Sequence, residues 1–259
     1  LFLGAQSYKT LWENVENAEN KNLPKTVMQW TQAIFKKAEK ENNIGQLYKA
    51  GVYTFNKQLA IEPDSLISMI LKGEERLKKL NDPIEKAFMH SLLAGVYFYA
   101  GLNYNVNSRT AIVEELDVSK LKSWGANQIV KVMLQHLDAS LEAKELLLTR
   151  SGKEYLPFFE LRKSSDSFNH DLYHVLAFKR INLLKGLINR YYREGSTGEY
   201  RKEVVEKCLD KAYEEFIETY KEKDNAVAQL FVKLNRYSLD YKQDEDLEQL
   251  DQWIDEYKA

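Results

Sequence analysis

Apolar residues recur along this chain at helical spacing. Leu11, Val15 and Ala18 form a narrow stripe over residues 8–20, and Trp12 widens it. Val27, Trp30, Ile34 and Ala38 share one face of a second segment opened by Pro24, a residue that suits the first turn of a helix. Asn42-Asn43 breaks the pattern before a third helix over 44–61, and Pro63-Asp64-Ser65 restarts the chain into a fourth that reaches Leu80. The fifth has the strongest start signal. Asp82 caps, Pro83 takes the first position and Glu85 completes a capping box. Residues 103–123 lose the period and read as a connection with room for a short helix. Beyond it the stripes predict helices over 124–148, 168–194, 200–220 and from 226 onward, with a last acidic helix over 244–257. Gly195-Ser196-Thr197-Gly198 is a clear break. No strict alternation is long enough to predict a strand.

Ten helices joined mostly by short loops imply an all-α fold of antiparallel helical hairpins. The tetrapeptide Ala-Gly-Val-Tyr occurs at Ala50–Tyr53 and again at Ala94–Tyr97, 44 residues apart. A period of this size is that of a helical-hairpin array. The expected architecture is therefore a stacked α/α superhelix (TPR-like), with Gly51 and Gly95 as points of close approach between helices. The expected organisation is 1–6 as a signal-peptide remnant or disordered terminus, 7–102 as the hairpin array, 103–123 as the connection, and 124–259 as a second helical half packed on the first.

Composition narrows the function classes. With 37 basic and 39 acidic residues the chain lacks the cationic excess of a nucleic-acid binder. No stretch approaches the roughly 20 apolar residues of a membrane span. A single cysteine, Cys208, precludes an internal disulfide. The opening Leu1-Phe2-Leu3-Gly4-Ala5-Gln6 resembles the tail of a secretory signal peptide cleaved after Ala5. That reading places the protein outside the cytoplasm, in the periplasm or cell envelope; an ordinary frayed terminus is the alternative.

Candidate chemistry is sparse. His170 and His174, with Asp171 between them, have the i, i+4 spacing of a zinc-binding helix, but the acid is one methylene shorter than the usual general base and no third ligand is evident. A polar first turn, with Asp171 favouring the helix dipole and both histidines partly exposed, accounts for the same residues. His90 and His136 read as isolated core or boundary histidines. Cys208 lies near Lys207 and Lys211, yet its phase matches Val205, Leu209 and Ala212, which predicts a buried, inert thiol. The acids from Asp244 lack the glycine and spacing of a calcium loop. Lys179, Arg180, Lys185, Arg190 and Arg193 predict a solvated or acid-paired basic face. The sixteen tyrosines are the one surplus. They suit inter-helix gaps with hydroxyls at the rim, and a concave surface lined by them would recognise peptide. No catalytic, cofactor-binding or metal-ligating residue is therefore assigned, and no cofactor.

Several phrases taken together have a family likeness. Tyr8-Lys9-Thr10-Leu11-Trp12 followed by Asn22-Leu23-Pro24-Lys25-Thr26, and Lys37-Ala38-Glu39-Lys40 with Gly45-Gln46-Leu47, resemble the N-terminal region of large exported bacterial alpha-2-macroglobulin-like proteins. Leu172-Tyr173-His174-Val175-Leu176-Ala177 is similar to a Leu-Tyr-Asp-x-Leu-Ala helix motif of those proteins, with His174 in place of the aspartate. Residues 226–236, ending Lys233-Leu234-Asn235-Arg236, are similar to a late helix of the same region. The resemblance implies a non-enzymatic helical scaffold or interaction module ahead of macroglobulin-type β domains in a protease-inhibitor-type protein. Its partners would be those downstream domains or another protein. Nothing in the chain resembles a thioester motif. The alternatives are a free-standing cytosolic helical adaptor that binds peptides, and a zinc hydrolase using His170 and His174.

Overall fold

A computed structural model describes residues 6–104, 116–158, 171–192, 199–222 and 225–240, together with positions 252 and 255. The fold is all-α. Its helices are α1 (Tyr8–Asn20), α2 (Pro24–Lys40), α3 (Ile44–Ile61), α4 (Leu66–Lys79), α5 (Pro83–Asn103), α6 (Ala126–Ala139), α7 (Lys144–Thr149), α8 (Leu172–Arg190), α9 (Lys202–Glu222) and α10 (Ala226–Asp240). The expected signal remnant, the Gly195–Gly198 break and most of the acidic 244–257 segment fall outside the described residues.

Local sequence explains the boundaries. The side chains of Ser7, Asn43, Asp82 and Asp171 accept hydrogen bonds from the backbone N–H groups of Thr10, Gln46, Glu85 and His174, capping α1, α3, α5 and α8. Asn22 and Asn42 end the first two helices in left-handed conformations, with φ of 51° and 52°. Asparagine tolerates this geometry, and it lets the amides of Leu23 and Asn43 bond back to the carbonyls of Ala18 and Ala38 at 2.9 Å each. Both turns reverse the chain tightly, which is why α1, α2 and α3 pack as consecutive antiparallel neighbours. The same pairing joins α4 to α5, α5 to α6, α8 to α9 and α9 to α10, while α5 also packs on α8. In the connection, Asp117 caps a 3₁₀ turn, Val118–Ser123, that buries Leu121.

Two expected helices differ from the pattern reading. The helix expected over 124–148 is two helices, because it breaks at Ser140, whose buried hydroxyl donates to the Leu137 carbonyl at 2.7 Å. Such back-bonding competes with the helical ladder. The helix expected from 168 begins only at Leu172. Asp171 is extended, with ψ of 169°, and bridges antiparallel to Ser151.

The main core runs continuously from Ala38 to Val232 and joins residues on both sides of the connection. A smaller cluster of Leu11, Val15, Ala18, Val27, Ile34 and Ala50 lies separately beneath α1. Two glycines permit the tightest contacts. A Cβ on Gly45 would lie 2.6 Å from the carbonyl oxygens of Tyr155 and Leu156, and one on Gly101 would lie 1.7 Å from the Tyr191 hydroxyl. Tyr191 is buried and donates to the Phe98 carbonyl at 2.7 Å, so this contact locks α8 to α5. The expected basic face of this helix is not uniform. Arg180 is buried, pairing with Asp138 of α6 at 2.6 Å and Glu215 of α9 at 2.8 Å, while Lys185 donates to Asn235 of α10 at 2.6 Å. Arg193 falls outside the described residues.

Candidate functional site

The α2/α3 hairpin and the α4/α5 hairpin meet at one end and part along a groove of about 810 Å³. At the closed end the Tyr48 hydroxyl donates to the Glu85 carbonyl at 2.9 Å, and the rings of Tyr48, Phe88, Tyr155 and Phe158 pack together. The walls repeat one another. Leu47, Tyr48, Gly51, Val52 and Phe55 of α3 line one side; Ser91, Leu92, Gly95, Val96 and Tyr99, each 44 positions later, line the other. In both copies of Ala-Gly-Val-Tyr the alanine is fully buried while the glycine and valine face the groove.

This geometry corrects the expected role of the repeated glycines. A Cβ on Gly95 would meet nothing within 4 Å, and one on Gly51 would make ordinary contact with Phe35 at 3.6 Å. Neither lets helices approach closely; both leave a side chain out of the groove. Gly95→Ala is therefore expected to stabilise the protein by about 0.5–1 kcal/mol, since alanine loses less conformational entropy in a helix. A raised thermal midpoint checks this.

The groove carries cations but no acids. Lys72 and Arg76 of α4 and Lys179 of α8 line it, and no Asp or Glu does among the described residues. Arg76 is already engaged by Glu39 at 3.0 Å and lies over the Phe35 ring. Lys72 and Lys179 have no hydrogen-bond or ion-pair partner among the described residues. Loss of water against the groove walls holds the Lys179 ammonium below the ordinary lysine value, although the side chain remains exposed.

On the other face of α5, four groups from three helices form a partly buried chain. The Tyr97 hydroxyl donates to Glu74 Oε1 at 2.8 Å, His136 Nε2 lies 3.0 Å from the same oxygen, and His136 Nδ1 lies 2.8 Å from His90 Nδ1. One proton fits between the two Nδ1 atoms, so one ring donates and the other accepts. Burial pushes the Glu74 carboxyl up, but the bonds from His136 and Tyr97 outweigh it and leave it below the ordinary carboxylate value. Burial, with His136 beside it, holds His90 below the ordinary histidine value; Glu142 and Glu74 oppose this and Lys86 adds to it. The two histidines are thus not isolated, as the sequence reading had them. They satisfy each other across the contact between α5 and α6. None of the four groups lines the groove.

No family model, curated protein or solved structure matches this chain.

The remaining sequence candidates are placed as follows. His170 lies outside the described residues. His174 is buried, not partly exposed, and sits among the rings of Phe178, Phe216, Tyr220 and Phe231. Asp171, between the two histidines in sequence, is extended and precedes the first helical residue, Leu172. Asp171 itself caps α8 and accepts from the Tyr220 hydroxyl at 2.7 Å. Among the described residues no group of three His, Cys, Asp or Glu side chains is placed to hold a metal. Cys208 is half-buried, and burial pushes its thiol up, which disfavours the reactive thiolate. The hydroxyls of Tyr48, Tyr97, Tyr191, Tyr213 and Tyr220 each donate to a specific acceptor at a half-buried residue. Tyr99 lines the groove and is 45 % exposed. No helix among the described residues is long and apolar enough to cross a membrane.

Sequence reasoning located the repeat but not the groove. The usable signal was the pair of glycines in otherwise sound helices, where a missing side chain marks either tight contact or open space.

Proposed function

We propose that this chain is a non-enzymatic interaction module of TPR-like stacked hairpins, the N-terminal part of an exported alpha-2-macroglobulin-like protein. Its groove between α3 and α5 docks a polypeptide, either a downstream domain of the same chain or a separate protein. The observation that carries this reading is the groove itself: a volume of about 810 Å³ with a largely apolar lining, walled by the two halves of a sequence repeat and filled by neither. Its size and lining are those of a binding site. The alpha-2-macroglobulin-like assignment rests on the resemblance of residues 8–12, 22–26, 37–40, 45–47, 172–177 and 226–236. Much of that resemblance falls on packing positions. Tyr8 donates to Glu41 at 2.6 Å, Trp12 donates to Gln46 at 2.7 Å, and Gly45 admits the Tyr155–Leu156 backbone. Such residues serve a scaffold.

Two measurements test the reading. The intact reading frame is expected to open with a signal peptide and to continue past Ala259 into β-rich domains; a frame that stops at Ala259 removes the multidomain parent. In that parent protein a photoreactive phenylalanine analogue at Tyr99 or Val52 is expected to cross-link to one defined peptide, identified by mass spectrometry. Absence of any cross-linked peptide from both positions would overturn the docking role.

A further inference from the structure

The proposed docking groove has a charge pattern that narrows its occupant. Lys72, Arg76 and Lys179 come from two different helices and line one apolar groove that contributes no carboxylate among the described residues. On the protein as a whole the two signs balance, so the asymmetry belongs to this site. A cation facing an apolar wall loses water without gaining a partner, and an incoming carboxylate restores that loss. Lys179, although exposed, is held below the ordinary lysine value by the water it loses against the groove wall. Lys72 and Arg76 are spaced i, i+4 on one face of α4, while Lys179 approaches from α8. Cations supplied by two helices are matched by a ligand that carries several carboxylates along its length, as a polypeptide does. Length points the same way: on α3 the lining residues run from Leu47 to Ala60, about 20 Å at the rise of an α-helix. That is the length of a peptide helix of roughly 13 residues. An open groove between hairpins suits an amphipathic helix laid apolar face down.

Resting on the docking role above, we propose that the groove selects an acidic amphipathic peptide helix. Its apolar face lies on Val52, Phe55, Val96 and Tyr99, and its carboxylates pair with Lys72 and Lys179. Gly51 and Gly95 are the specificity-determining absences, because any side chain at Gly95 projects into the ligand's place.

A displayed library of random 15-residue peptides, selected in parallel on the wild-type chain and on Gly95→Leu, tests this. The Gly95→Leu variant is first required to have a thermal midpoint no lower than wild type and unchanged circular dichroism; if it does not, Gly95→Ala with Val96→Trp replaces it. Peptides recovered only on wild type are expected to be rich in Asp and Glu and to carry apolar residues at i, i+3 and i+4. Changing their acids to Asn or Gln is expected to weaken binding tenfold or more, as are Lys72→Glu and Lys179→Glu in the protein, and 0.5 M salt is expected to narrow those gaps. Groove-dependent peptides without acidic bias would overturn the charge selection and leave the docking role standing. Absence of any groove-dependent peptide would overturn both. Dodecanoate that binds wild type but not Gly95→Leu, and displaces the selected peptides, would overturn the peptide in favour of a single-headed lipid.

Discussion

Gly101→Ala is expected to destabilise the protein by about 3 kcal/mol, the upper part of the range for overpacking a core. The added methyl would overlap the Tyr191 hydroxyl at 1.7 Å and its ring at 2.5 Å. A tyrosine at a surface would swing aside. Here the ring is 1 % exposed, stacked on Phe98 at 5.4 Å, and its hydroxyl is bonded to the Phe98 carbonyl. Movement loses packing and leaves a buried acceptor under-satisfied. Tyr191→Phe is not expected to rescue Gly101→Ala, because the ring carbons still collide. Tyr191→Ala removes the collision but opens a cavity. The double variant is then expected to be more stable than the sum of the single losses predicts, because the two sites share one volume. Denaturant midpoints of the four proteins check the cycle, and strict additivity would mean that the close contact is not present.

Glu74→Ala is expected to cost a similar amount, about 3 kcal/mol, for an electrostatic rather than a steric reason. The carboxylate accepts from the fully buried Tyr97 hydroxyl and pairs with His136 Nε2. Removal strands two donors in an environment closed by the Trp124 ring, stacked 6.2 Å from Tyr97, and each stranded group costs about 1–3 kcal/mol. Glu74→Gln retains an acceptor and is expected to lose less. The same chain sets an acid limit. His90 has a folded pKa below its unfolded value of about 6.5, so below that pH the unfolded chain binds more protons. The contribution is complete above about pH 6.5 and is lost as pH falls through the lower folded pKa. Glu74, also depressed, adds loss in the same direction beneath the ordinary carboxylate range. Stability measured between pH 8 and 5 is expected to fall on the acid side, and His90→Gln is expected to flatten the fall from pH 6.5 downward. An unchanged slope would show that the His90–His136 bond does not govern it.

The helices were readable because each start and stop is a local transaction. Asp82-Pro83 predicts its cap from three residues, and the stripe of Leu11, Val15 and Ala18 is the face found buried. The break at Ser140 was less readable, since a serine bonded to its own helix resembles a serine facing solvent. What sequence could not supply was pairing at a distance. His90 and His136 are 46 residues apart, and each looks solitary until α5 and α6 fold together. The repeat was legible and its meaning inverted: Gly51 and Gly95 signalled a special surface, but only the packing of Ala50 and Ala94 shows which side is filled. Gly45 and Gly101, with no repeat to mark them, are the positions where backbone and tyrosine close in.

The separate cluster beneath α1 has a consequence for how the molecule comes apart. Leu11, Val15 and Ala18 bury against α2 and α3, away from the main core, and α1 is tied down further by Tyr8–Glu41, Trp12–Gln46 and the Lys57–Glu19 pair. Its detachment breaks those few links and leaves the interior from Ala38 onward intact. The first helix is thus expected to open as a sub-global unit, its amides exchanging with solvent at a lower free energy than those of α5 or α8 when hydrogen exchange is measured.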